Sequence, residues 1–142
     1  MKRESEGRPG GITALSVFFV VGAVISFTSC VALLFPGGLL EPMWRLNPRA
    51  RQAFATMGAW AIVLMLTVCL ACAASALGLW RGRRWGYRLA IGVLTANLLG
   101  DIANVLWGTE PRAAIGVPVV LAILAFLMSR RVRSFFSARV GA

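Results

Sequence analysis

The chain has 142 residues, of which 58% are hydrophobic and 14% charged, with a formal net charge of +10. Soluble domains carry roughly a quarter charged residues, and at a mean hydropathy of +0.77 a water-soluble fold of this length could not bury its apolar surface, so the composition specifies an integral membrane protein. Histidine is absent, which removes the commonest general base and metal or haem ligand. The five acids, Glu4, Glu6, Glu41, Asp101 and Glu110, place no carboxylate pair within an apolar span such as a Mg²⁺-dependent phosphotransferase requires, so neither an enzyme nor a cofactor is expected.

The first apolar run covers residues 11–35 and stops at Pro36-Gly37-Gly38, a strong break signal. It is long enough to cross a bilayer with some tilt. It is also longer than the apolar core of a cleavable signal peptide, which has about 7–15 residues. The connector that follows carries Leu39, Leu40, Met43, Trp44 and Leu46 on an apolar side. It is expected to lie on the outer leaflet as a short helical turn, acting as an ordered link or as a lid or docking element.

Asn47 and Pro48 are an N-cap and a first helical residue, and the second span is read over about 53–80. It contains Cys69 and Cys72, which with Cys30 make an odd count inside apolar segments. That is no disulfide framework, and the three thiols are read as small packing residues. Ala71, Ala74, Ser75 and Gly78, together with Gly22, Ser26 and Ser29 of the first span, supply the small faces that let membrane helices approach closely.

The next loop interleaves Arg81, Arg83, Arg84 and Arg88 with Trp80, Trp85 and Tyr87. Gly82 and Gly86 permit a tight reversal. The arginines are candidates for lipid-headgroup or partner contact, or for simple determinants of topology.

The third span, about 89–107, holds the least ordinary feature. Asn97, Asp101 and Asn104 are spaced i, i+4 and i+7 and share one helix face. Gly100 and Gly108 border it and are read as points of close helix approach. Asp101 falls slightly outward of the midplane. An ionised Asp near mid-membrane costs about 2.5–3.5 kcal/mol, and no Lys, Arg or His occurs in a predicted span to pair with it. Protonation, hydrogen bonds from the flanking amides, a transported cation or proton, and a basic residue of another subunit are the available compensations. Such a residue is a functional candidate, and an Asn–Asp–Asn cluster is equally a helix-packing device.

Thr109-Glu110-Pro111 opens the fourth span, read over 111–129 and kinked at Pro118. The link to the third span is so short that the two must be antiparallel neighbours. In the tail, Val132, Phe135, Phe136 and Val140 form one helix face, with Arg130, Arg131 and Arg133 among the rest. This amphipathic extension is expected to continue the fourth span and to lie against anionic lipid of the inner leaflet.

Charge sets the orientation. Eleven cations fall in the N-terminal tail, the middle loop and the C-terminal tail, and four fall in the other two links. The positive-inside rule then places both termini in the cytoplasm. Trp44, Trp80, Trp85, Tyr87 and Trp107 fall near the predicted interfaces, as belt residues do, and Trp60 is expected deeper, between helices. Because the arginines flank apolar spans, lipid is the expected anion and nucleic acid is not.

The stretches "PGGLLEPMWRLNPRARQAFATMGAWAI" and "GLWRGRRWGYRLAIGVLTANLLGDIANVLWG" resemble small, uncharacterised four-helix bacterial integral membrane proteins, over about residues 36–136. The Leu-Trp-Arg-Gly-Arg-Arg-Trp and Asn-x-x-x-Asp-x-x-Asn patterns are the most specific parts. The resemblance implies a bacterial cytoplasmic membrane location and carries no activity. Likeness to small multidrug transporters stops at helix count, because their essential Glu lies in the first span and this chain has no acid there. The reading is therefore an all-α, four-helix, N-in/C-in membrane protein of one transmembrane domain, serving as an accessory or structural subunit of a larger membrane complex. The alternatives are a homo-oligomeric proton- or cation-coupled transporter using Asp101, and an anionic-lipid-binding, membrane-organising protein.

Overall fold

The computed structural model describes residues 10–107 and 113–138. The described residues are helical between short links, with no strand among them. The helices are α1 (Gly10–Leu34), α2 (Pro48–Met57), α3 (Ala59–Trp80), α4 (Arg84–Leu106), α5 (Ala113–Met128) and α6 (Arg130–Ala138), with a 3₁₀ turn at Glu41–Arg45 between α1 and α2. α1, α3 and α4 are each long and apolar enough to cross a membrane. α5 and α6 pass the same test as a pair bent by 52°, which makes three or four spanning elements.

Close contacts fix an antiparallel order. Gly22 lies beside Cys72 of α3, and Cys30 Sγ lies 4.0 Å from the Ile62 carbonyl. Gly78 meets Gly86 backbone to backbone, which sets α3 against α4. The Tyr87 hydroxyl donates to the Leu127 carbonyl at 3.0 Å, and Asp101 lies against Gly116, which sets α4 against α5. Ile12, Leu15 and Phe19 of α1, Leu79 of α3, Leu94 of α4, Leu127 of α5 and Phe136 of α6 belong to one buried cluster. That cluster sits toward the end carrying the Arg81–Arg88 segment, here called the basic end. Toward the opposite end α1 and α3 stay packed through Ser26, Ser29, Ala32 and Ala61, whereas α4 buries no residue beyond Leu94.

The second apolar run is interrupted. Gly58, at φ +57°, ends one helix and begins the next, so the long apolar helix starts at Ala59 and not near 53. Asn47 caps α2 by accepting from the Ala50 amide at 3.1 Å. α2 carries Arg49, Arg51 and Gln52 and buries nothing. Trp60 is thereby the second residue of α3 and is 74% exposed, which corrects its expected place between helices.

The 3₁₀ turn is held by Trp44, which is buried edge-on against Phe54, and by Glu41, which pairs with Arg51 and accepts from the Gly37 amide. Gly82, at φ +63°, reverses the chain so tightly that α4 resumes at Arg84, five residues before the apolar run at 89. The C-terminal extension departs most from expectation. It bends at Ser129 and does not prolong α5, and its apolar face turns onto the protein. Val132 and Phe136 are almost fully buried, and Phe136 stacks on Tyr87 at a centroid distance of 4.9 Å. The cap at Thr109-Glu110-Pro111, Gly108 and Val140 lie outside the described residues.

Candidate functional site

α4 places Asn97, Asp101 and Asn104 along one face. The helix forms here because its N-terminal half is anchored: Gly86, Ala90 and Leu94 are buried, spaced four residues apart against α3 and α5. Asp101 stands seven residues, about two turns, beyond Leu94 and so continues that face. Asn97 Nδ2 donates to Asp101 Oδ2 at 3.2 Å. A Cβ added at Gly116 would fall 2.8 Å from that same oxygen, so the carboxyl group rests against bare α5 backbone. Among the described residues no cation pairs with Asp101. Asn97 and Asn104 are exposed and Asp101 is half-buried. Asp101 lies five residues from the last helical residue, Leu106, about 7.5 Å along the axis.

Chemically the cluster is a hydrogen-bonding station. An ionised carboxyl group accepts at about four lone-pair sites and an Asn side chain both donates and accepts. The Asn97 amide occupies one of those sites, and the face remains able to take donors from outside the chain. The surrounding surface is apolar: Leu99 and Leu106 are largely exposed, and Ile102 and Val105 partly so.

Gly100 does not serve as a close-approach point, because a Cβ there would meet nothing within 4 Å. It lies off the buried line that runs through Leu94 and Asp101. The close approaches belong to Gly116 and to the Gly78–Gly86 pair. Gly86 was expected to help reverse the chain. The reversal is made by Gly82, and Gly86 instead gives α3 room to touch α4. A glycine in an apolar run has no charge or motif to mark it, and only the antiparallel register pairs Gly116 with Asp101.

The basic residues gather at the other end. Arg81, Arg83, Arg84 and Arg88 belong to the turn and the start of α4, and Arg130, Arg131 and Arg133 belong to α6. All seven are exposed. The bend between α5 and α6 brings Arg133 to the same cleft as Arg84 and Arg88. Cys30, Cys69 and Cys72 are all free thiols; Cys69 and Cys72 are three residues apart on α3, with Cys72 by Gly22, and Cys30 lies apart from them by Ile62.

No family model, no curated protein and no solved structure matches this chain.

Proposed function

We propose that this chain is a non-enzymatic, multi-pass accessory subunit that docks on another membrane protein through the α4 face bearing Asn97, Asp101 and Asn104. One observation supports this above others: a polar stripe, exposed at Asn97 and Asn104 and half-buried at Asp101, lies on a spanning-length helix beside exposed Leu99 and Leu106. Lipid tails offer no hydrogen bonds, so polar groups at membrane depth are retained where protein or water meets them. Beyond Leu94 the half of α4 that carries the stripe has no buried residue, and α5 covers it only in part. The eleven-to-four distribution of cations supports an orientation with both termini in the cytoplasm of a bacterial cell.

Asp101→Asn tests this reading, since it keeps the shape of the side chain against Gly116 and removes its charge. Mild-detergent affinity purification from the native host is expected to retain a stoichiometric second membrane protein. Asp101→Asn is expected to weaken that retention about tenfold or more, the value of a hydrogen bond to a charged group, whereas Val24→Ala on the exposed face of α1 leaves it intact. A clean homo-oligomer with no second protein would sink the proposal and make proton- or cation-coupled transport through Asp101 the reading to pursue.

A further inference from the structure

A second constellation lies at the basic end, remote from Asp101 and independent of its role. Between the start of α4, the end of α5 and α6 is a cleft of about 370 Å³. Its lining is of two kinds. Arg84, Arg88 and Arg133 supply charge, and Ile91 and Met128 supply apolar surface beside the stacked rings of Tyr87 and Phe136.

The charged part is unbalanced. Arg84 and Arg88 are four residues apart, so they share a helix face and repel one another. Both lie in the first turns of α4, where the helix dipole disfavours cations. No acid stands in the first turn of α4 or of α6. Among the described residues none of the three arginines has an ion pair, and the described carboxylates, Glu41 and Asp101, belong to the opposite end. The neighbouring hydroxyls are already committed: Tyr87 donates to the Leu127 carbonyl at 3.0 Å and Ser137 to the Arg133 carbonyl at 2.8 Å. The guanidinium groups are therefore the donors this cleft offers.

An anion among them turns repulsion into attraction, and the planar guanidinium fork matches pairs of phosphate oxygens. A free phosphate uses only half of the lining. We propose that the cleft binds one anionic phospholipid, with its phosphate held by Arg84, Arg88 and Arg133 and an acyl chain lying along Ile91 and Met128. The bend at Ser129 is what builds the site, because a straight continuation of α5 would carry Arg133 away from α4.

Native mass spectrometry of the full-length protein in neutral detergent tests this, with phosphatidylglycerol, phosphatidylcholine and chain-free glycerol phosphate added in turn. One phosphatidylglycerol is expected to be retained in preference to phosphatidylcholine, and glycerol phosphate is expected to be lost. Arg84→Gln, Arg88→Gln and Arg133→Gln should each weaken retention about five- to tenfold. Arg88→Lys, which keeps the charge and loses the fork, should fall between. Arg130→Gln and Arg131→Gln, on the same helix but outside the cleft, should change it little. All these arginines are exposed, so the variants keep the fold, which an unchanged helical spectrum verifies. Equal losses for all five Gln variants would mean diffuse attraction to a basic surface and would overturn the site. Equal retention of phosphatidylcholine would overturn the role of charge. Glycerol phosphate binding as tightly as the lipid would overturn the lipid assignment in favour of a soluble phosphate.

Discussion

Ser75 and Ser16 are both buried to within a few per cent, yet they differ in their hydrogen bonding. The Ser16 hydroxyl donates to the Ile12 carbonyl one turn back, at 2.9 Å. Ser75 Oγ is buried and has no hydrogen-bond partner among the described residues. A buried donor left unsatisfied costs about 1–3 kcal/mol, whereas removing the polar group from a site of the same shape is neutral or favourable. Ser75→Ala is therefore expected to raise resistance to denaturation in detergent by about 1 kcal/mol, and Ser16→Ala to leave it level or lower it slightly. Unfolding curves in mixed micelles would read both. A loss at Ser75 as large as that from truncating the neighbouring buried Leu79 would show that the hydroxyl has a partner. The sequence marks Ser75 as one of a set of small residues that permit packing, and in the structure it is fully buried. Whether its proton finds an acceptor depends on one rotamer, which no spacing rule encodes. Asp101 was legible for the opposite reason: an acid inside an apolar helix is rare enough to stand out before any neighbour is known.

At the scale of helices, what the sequence reveals is apolar length and periodicity, and what it hides is the contact partner. α1 follows from an uninterrupted apolar run that stops at Pro36-Gly37-Gly38, and most of α4 from a largely apolar run that follows the Arg81–Arg88 segment and carries Asn97, Asp101 and Asn104. The run over 53–80 conceals the break at Gly58, because an isolated glycine inside an apolar stretch is ordinarily tolerated and only its positive φ reveals the interruption. The tail shows the same limit. Val132, Phe135 and Phe136 announce an apolar face, and the pattern is identical whether lipid or Tyr87 covers it. Glycines divide in the same way. A Cβ at Gly86 would sit 2.3 Å from the Gly78 Cα, which is backbone and cannot swing aside, whereas one at Gly100 meets open space. Gly86→Ala is thus expected to push α3 and α4 apart and cost about 1–3 kcal/mol, the range for overpacking. Gly100→Ala should be tolerated. Paired unfolding measurements distinguish the two, and similar losses at both positions would mean that Gly86 is not at a helix contact.

For the whole molecule, packing and charge divide along the same axis. The buried cluster, the tight turn at Gly82, α6 and the seven described arginines of the turn and tail occupy one end, and the exposed Trp60 and Trp107 mark the other. Translocating the arginine-rich end is opposed by every charge it carries, so orientation is set by that end as a unit. α5 meets the length and hydropathy of a span only together with α6. Its 16 residues span about 24 Å at 1.5 Å each, short of a hydrocarbon core of about 30 Å. α6, which would have to complete the span, is bent away from it by 52°. Cysteine accessibility in intact cells decides the matter without altering any charge. Leu39→Cys, on a fully exposed residue of the α1–α2 link, should react with a membrane-impermeant maleimide from outside. Ser134→Cys, exposed on α6, should react only after permeabilisation. Labelling of both from outside would mean three crossings, with α5 lying along the surface. It would also separate α6 from Arg84 and Arg88 of α4, whose shared cleft with Arg133 requires that both helices reach the same side of the membrane.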